Sequence, residues 1–430
     1  MTPERQPAFG PLAGIRIVDF TVALAGAFAT MLLADLGAEI IKVESLQHYP
    51  TSTRGPRFPP RGDDVLAQSW AWNYPNMDPG KDPWNRISWF NSQGRNKRGI
   101  TMDVSRPEGR DLFLRLIEGS DGLIENNPVG ALERLDIAPD QLIERNPELI
   151  VVRMPPLGLS GPDCAVRGFG FHFEEFAGML EEQGYPGGET VSSLFMDAAS
   201  GPAAANAFLI ALIERRETRN AALYEVSQVE NVISHVGDLT MDAVMNKRVP
   251  KRWGNRSPTF APQGCYPCAG DDQWMVLSVR GHDEWLALST VIGALAELAQ
   301  PGLETLAGRQ AAHDQIDAVI ARWTSARPAM EAASALQRAG IPAGPVMSEA
   351  DANSDPHLHE RGFFQLLEHP AAGTHFHAGA NFKLTETPLQ LWRAAPTVGQ
   401  DNEYVYKEIL GISQAEYDRL TQQGHIGNSY

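Results

Sequence analysis

The sequence predicts an α/β fold built on a mainly parallel sheet. Two observations carry this reading. Short apolar runs alternate with helix-forming stretches from residue 15 to residue 154, with brief joints between them. The chain also has 430 residues, 43% hydrophobic and 21% charged, enough apolar material for a large core without disulfide or metal staples. At about 150 residues per domain, that length accommodates two or three domains.

Ile15–Phe20 (IRIVDF) reads as a short buried strand, and Ala25–Leu36 as a helix ending at Gly37, a natural residue to follow a helix end. Ala38–Val43 is the next strand, which makes a parallel βαβ unit with a right-handed crossover. Residues 46–95 break the pattern. They are rich in Pro, Gly and polar residues and hold four of the nine tryptophans, Trp70, Trp72, Trp84 and Trp89. A long irregular stretch of this kind is functional, an interface, or a Trp-anchored surface loop. Alternation resumes with a strand at Arg98–Met102 and a helix at Pro107–Glu118, with Ser105 as its expected cap and Glu108 in its first turn. A strand at Asp121–Glu125, short helices at Ala131–Leu135 and Ala138–Arg145, and a strand at Leu149–Met154 follow. A long helix is expected over Ala203–Arg216, then a strand running into a helix over 221–233. Residues 250–270 are rich in Pro, Arg and Gly, which suggests a boundary. Tyr266–Val279 reads as a hairpin turning at Gly270-Asp271-Asp272. Helical segments run to about Ala339, Ile341–Val346 is extended, and the tail from 350 reads as loop until a helix near Ser413–Gln423.

The charge balance narrows the function. Lys and Arg number 36 against 53 Asp and Glu, a net −17 that argues against general nucleic-acid binding but leaves room for one local basic pocket. No segment approaches about 18 uninterrupted apolar residues, and MTPERQPAFGPLAG has no apolar signal core. Three cysteines make no disulfide framework, so a reducing cytoplasm is expected. DFTVALAGAF lacks the dinucleotide G-x-G-x-x-G, although Glu44 mimics the acid that would hold a ribose, and there is neither a P-loop nor a G-x-S-x-G elbow. Cys265 and Cys268 form C-Y-P-C before a strand, with no second pair, and are expected to pack as apolar residues. The pairs His357/His359 and His375/His377 fall in expected loops without a third ligand. No metal and no tightly bound cofactor is therefore expected. Asp197 lies between an apolar run and the long helix, where a helix dipole keeps a carboxylate ionised; it reads as a nucleophile, a base or a plain cap. Asn96-Lys97-Arg98 is a basic cluster, either a phosphate anchor or a solvated turn.

Several blocks resemble, in order and spacing, those of class III CoA-transferases, the CaiB/BaiF family that includes formyl-CoA and carnitine CoA-transferases and the α-methylacyl-CoA racemases. They are GPLAGIRIVDFTVALAGAFATMLLADLGAEIIKVES at 10–45, NKRGITMDV at 96–104, PEGRDLFLRLIEGSDGLIENNPVGALERL at 107–135, NPELIVVRM at 146–154, LGLSGP at 157–162, MDAASGPAAANAFLIALIERRETRN at 196–220 and AGIPAGPV at 339–346. The resemblance implies a Rossmann-like large domain with a mainly parallel sheet, a smaller α+β domain, and two chains interlocked as a ring homodimer. On that plan residues 1–225 begin the large domain, 226–262 link, 263–345 form the small domain and 346–430 return. The resemblance also implies transfer of CoA between an acyl-CoA and a carboxylic acid, with CoA thioester as substrate. Asp197 matches the nucleophile that passes through an acyl–aspartyl anhydride and an aspartyl-CoA thioester. Glu174 would orient or hydrogen-bond the acyl group. Ala23, Leu24 and Ala25 match the loop at the CoA nucleotide, Lys97 and Arg98 the basic turn at its phosphates, and Arg134 a further cation there.

Three departures qualify the match. Ser45 and Leu46 stand where the family often has Arg or Pro. GFHFEEFAG puts Phe173 and Glu174 where racemases carry their catalytic His, with His172 one position off. GNRSPTFAPQG at 254–264 replaces the tetraglycine loop of formyl-CoA transferase, which argues against formyl or oxalyl substrates. Residues 46–95 and 172–196 are expected to shape the acyl pocket, or 46–95 to serve a dimer interface. The rival readings are a racemase and an acyl-CoA-binding protein without chemistry.

Overall fold

A computed structural model describes residues 9–62, 64–191, 193–249 and 251–430. Residues 1–8, where no signal core is expected, and Pro250, at the expected boundary, lie outside the described residues. Six strands form one sheet: β1 (Arg16–Phe20), β2 (Glu39–Glu44), β3 (Lys97–Thr101), β4 (Gly122–Glu125), β5 (Ile150–Arg153) and β6 (Ala222–Glu225). Their order is 3-2-1-4-5-6 and every adjacent pair is parallel. The first five stand within one residue of their expected bounds at either end.

Five helices position the site: α1 (Ala25–Asp35), α2 (Pro107–Glu118), α3 (Gly170–Phe176), α4 (Phe195–Thr218) and α5 (Gln228–His235). Strands β1 to β5 are buried on both faces, whereas β6, at the edge, is half exposed. Along β1, Ile17 packs with Ala29 and Leu33 of α1 and Phe208 of α4, whereas Val18 packs with Phe113 and Leu116 of α2. Val405, Tyr406 and Leu420 join the Val18 side, so the end of the chain completes the core that its beginning starts.

Two helix starts differ from expectation. Arg106 takes the cap position of α2 without a side-chain cap bond, and Ser105 donates its hydroxyl to Asp103 at 2.5 Å instead. Pro107 has no N–H to satisfy, so α2 tolerates the missing cap. Helix α4 begins at Phe195, seven residues before Pro202, which lies inside it. The stretch DAASGP has weak helix propensity, but packing overrides it: a Cβ on Gly201 would meet the Phe28 ring of α1 at 2.7 Å. α4 is also the one described helix long and apolar enough to cross a membrane, with mean hydropathy 1.3. Here Ala204, Ala205, Phe208 and Ala211 carry it onto α1 and the sheet.

β7 (Gln263–Pro267), β8 (Trp274–Ser278) and β9 (Ala343–Val346) form an antiparallel sheet that includes the expected hairpin. The tail is more ordered than expected: β10 (Phe364–His369) and β11 (Gly373–Ala378) pair antiparallel, which puts His375 and His377 on a strand rather than in a loop. Residues 46–95 contain short helices at Thr51–Arg54, Val65–Ala71 and Ser88–Gln93. The described chain divides into two compact units. Within the described residues, 9–179, 193–240 and 356–430 form one; 180–191 and 241–355 form the other.

Candidate active site

β1 and β4 are neighbours at the point where the strand order reverses, and the crevice beyond the carboxyl ends of such strands is where α/β sheets bind ligands. The turn leaving β1 lies there and is tied on several sides. Thr21 donates its N–H and hydroxyl to Asp19 Oδ1 at 3.0 and 2.7 Å. Asn126, just past β4, accepts the Val22 N–H at 2.7 Å and donates to the Val22 carbonyl at 2.9 Å. Thr53 Oγ1 accepts the Ala23 N–H at 3.0 Å. These bonds hold Ala23 at φ +53°, a left-handed conformation costing roughly 1–2 kcal/mol for a residue with a Cβ. Gly26 lets the turn close, because a Cβ there would stand 2.6 Å from the Thr21 side chain.

The next residue after the turn is the key donor. Leu24 caps α1 without a side-chain bond, and the Ala25 N–H faces the carboxylate of Asp197, where it favours the ionised form. Asp197, half-buried, is the third residue of α4. Its carboxylate thus meets the positive ends of two helices, its own and α1. Helix α3 brings two further residues. Glu174 is fully buried and accepts the Met196 N–H at 2.9 Å, capping α4 from outside because Leu194 makes no side-chain cap. Gly170 leaves space: a Cβ there would stand 2.6 Å from Asp197 Oδ2. Burial pushes the Asp197 carboxyl above the usual range; the Ala25 N–H works against this and the charge of Glu174 adds to it. A more basic carboxylate is a stronger nucleophile once ionised.

The crowded atom is the movable end of a side chain, so Gly170→Ala is expected to displace Asp197 rather than unfold the protein. We expect kcat to fall at least about tenfold, with less than about 1 kcal/mol lost in stability, read by steady-state transfer kinetics beside urea unfolding.

The predicted residues divide. Ala23, Leu24, Ala25, Asp197 and Glu174 come together. Lys97 and Arg98 do not offer free cations, which corrects the expected phosphate-binding turn. Both are buried on β3: Lys97 donates to Asp19 at 3.1 Å, and Arg98 pairs with Glu39 at 3.0 Å and Asp401 at 3.2 Å. Arg134 is exposed and folds back over Gly130; among the described residues it makes no ion pair. Its neighbour Leu135 lines a cavity of about 180 Å³ with Thr21, Val22, Ser45, His48 and Asp103. His172 is exposed, and its Nδ1 accepts the Phe169 N–H at 3.1 Å. Asn126 and Thr53, which fix the turn, carry no sequence signal beyond being polar. Among the described residues, no group of three or more His, Cys, Asp or Glu forms a metal site. Burial pushes both the Cys265 and Cys268 thiols up, as for packed rather than reactive cysteines.

The family model described as CoA-transferase family III matches residues 12–402. A probable CoA-transferase of Mycobacterium tuberculosis is 30% identical over 424 residues, covering 96% of this chain. The chain spans 50% of that relative's length. Succinyl-CoA–D-citramalate CoA-transferase of Chloroflexus aurantiacus is 27% identical over 422 residues, 98% of each chain. The crystal structure of a CaiB/BaiF family protein from Brucella suis superposes with a TM-score of 0.80 at 25% identity, over 93% of this chain and 100% of that one.

Proposed function

The chain belongs to CoA-transferase family III, and on that footing we propose that it moves CoA from an acyl-CoA to a carboxylic acid through covalent intermediates on Asp197. The observation behind this reading is the Asp197 carboxylate, held by the Ala25 N–H at the start of α1 and given room by Gly170. The carboxylate attacks the thioester carbonyl, a mixed anhydride forms, and CoA leaves as thiolate. The thiolate then attacks the aspartyl carbonyl, releasing the donor acid and leaving an aspartyl-CoA thioester. The acceptor carboxylate attacks that thioester, making a second anhydride and freeing the thiolate again. Attack of the thiolate on the acceptor's acyl carbonyl yields the new acyl-CoA and restores Asp197. Each step exchanges one anion for another, so no proton need enter or leave. Helix N-termini suit that sequence, since they stabilise carboxylate, oxyanion and thiolate alike. Glu174 fixes the start of α4 and so aims Asp197 at the acyl group. Ala23–Ala25 border the CoA, and exposed Arg134 is the cation left for its phosphates.

The racemase reading is less well supported, because a carboxylate rather than an imidazole is buried beside Asp197 and His172 is turned to solvent. We further infer a homodimer of interlocked chains, as the resemblance implies, in a reducing cytoplasm, as the three cysteines suggest.

The test starts from succinyl-CoA, the donor in the name of a relative that matches 98% of this chain. Acid-quenched enzyme is digested and the peptide carrying Asp197 is weighed. A CoA thioester on that residue, lost on adding an acceptor acid, is the expected result. A panel of acyl-CoAs that transfers CoA with no such adduct would remove Asp197 from the mechanism. Light scattering on the same preparation should read twice the chain mass; a monomer would refute the dimer.

A further inference from the structure

Lys97 faces inward, and what it holds is the turn that presents Ala25. Its ammonium donates to Asp19 Oδ2 at 3.1 Å, to the Ala27 carbonyl at 2.8 Å and to Thr30 Oγ1 at 2.8 Å. That uses all three of its N–H bonds. Lys42 of β2 donates to Asp19 Oδ1 at 3.2 Å and to the Thr21 carbonyl. Asp19 also accepts from Thr30 Oγ1 at 2.7 Å, besides the two bonds from Thr21. Asp19, Thr21, Thr30, Lys42 and Lys97 are each 3% exposed or less.

Geometry alone would be served by neutral groups. This cluster carries two ammoniums against one carboxylate, a net +1 with nothing else in it to cancel the excess. Asp35, the other acid facing Lys97, is already paired with Arg95 at 2.7 Å. An uncompensated buried cation is costly unless an anion lies near. Ala27, which Lys97 grips, is two residues from Ala25, about 3 Å along the helix axis. The carboxylate that the Ala25 N–H faces is Asp197, whose pKa responds to burial, to that N–H and to the charge of Glu174.

We infer that Lys97 is a positioning residue for transfer: its ammonium pins the first turn of α1 and so holds in place the Ala25 N–H that faces the Asp197 carboxylate. This inference rests on the role proposed for Asp197. Asp19 of β1, Lys42 of β2, and Thr30, Ala27 and Asp35 of α1 are the groups that face it. Burial, partly opposed by Asp19, brings the Lys97 ammonium down to about 8. The ammonium that makes all three bonds is therefore present at neutral pH and is lost as pH rises through that value.

The unsubstituted full-length enzyme should lose about tenfold in kcat between pH 7 and pH 9, as a single group of this pKa requires. Lys97→Arg keeps a charge that does not titrate in this range and should abolish the alkaline fall. Lys97→Met should lower kcat at least about tenfold at pH 7, with the KM for acyl-CoA within about twofold. A merely structural lysine would not move the pH profile. Hydrogen exchange needs no substrate and separates this inference from the reaction itself: in Lys97→Met, peptides spanning 21–30 should exchange faster while the rest of the sheet does not. Should Lys97→Met fail to fold, the unsubstituted profile and Lys97→Arg still decide. A flat profile to pH 9, an alkaline fall that persists in Lys97→Arg, or unchanged exchange in Lys97→Met would each overturn the inference. Faster exchange with full activity in Asp197→Asn would instead keep the turn-holding role and refute the Asp197 mechanism.

Discussion

Asp197→Asn is expected to lower transfer by at least about three orders of magnitude, because it removes the atom that forms the covalent intermediates. The same variant should be more stable than the natural protein. Burial raises the Asp197 pKa above its ordinary 3.8, so the folded state holds that proton more tightly than the unfolded chain. The cost of the ionised carboxylate enters as pH rises from 3.8 through the folded value and is fully present above it. Asn cannot ionise, so the variant escapes that cost, and its Oδ1 still faces the Ala25 N–H. Asp197→Ala should be as inactive but less stable than Asp197→Asn, because it leaves that N–H without its acceptor. Melting curves from pH 4 to pH 8 check this: the gap between Asp197→Asn and the natural protein should widen as pH rises. A gap that narrows, or an Asn variant that melts lower at neutral pH, would mean that the carboxylate is stabilised rather than stressed where it sits. Gain of stability with loss of function is the expected signature of a site built against folding.

The parallel sheet was legible because both its faces are buried. IRIVDF, EIIKVE and LIVVRM leave no solvent face to interrupt the apolar run, so each strand announces itself. The tail hairpin lacks that advantage. GTHFHA has a single large apolar residue, Phe376, and five of its six residues are exposed, so it reads as loop. The start of α4 was hidden for a different reason: its cap is Glu174, more than twenty residues upstream, and only tertiary structure joins them. Asp197 could be picked out, but not the fact that its acceptor role caps a second helix.

The misplacement of Lys97 teaches most. A short basic cluster looks like a surface, yet Lys97 opens a strand whose five residues are all buried. A signal was available. Asp19 and Lys42 lie inside apolar strands, where charges survive only if they find partners. An acid and two lysines near the ends of adjacent parallel strands could be expected to pair. What sequence could not supply was the register that puts Ile41 beside Arg98 and Val18, and so leaves Lys97 beneath α1.

Arg54→Met should cost about 3–5 kcal/mol, the largest stability loss we expect from any single change here, because it strands a buried carboxylate. Arg54 is fully buried and grips Glu44 with two bonds, at 2.8 and 2.5 Å. It also donates to the carbonyls of Trp84 and Pro396, at 3.2 and 3.3 Å, and its guanidinium lies 3.4 Å from the Phe90 ring centre. One side chain thus ties the end of β2, the Trp-rich segment and the C-terminal segment together. Glu44, which at first sight mimics a ribose-binding acid, is occupied by this pair. The arrangement also gives the segment 46–95 a task. Trp89 donates its indole N–H to the Thr53 carbonyl at 2.9 Å, and the hydroxyl of that same Thr53 holds Ala23. Trp89 therefore anchors the residue that shapes the turn before Ala25, and the stability of the segment is coupled to the geometry of the site. Two consequences can be measured. In Arg54→Met the urea midpoint should fall and peptides from 46–95 should exchange hydrogen faster, while Arg54→Met with Glu44→Gln should recover much of the loss, since no buried charge is then left unpaired. If the double variant is as unstable as the single, packing of Arg54 on Phe90 rather than its charge holds the segment. If kcat in Arg54→Met stays within about twofold of the natural enzyme, Thr53 does not transmit the segment's order to Ala23.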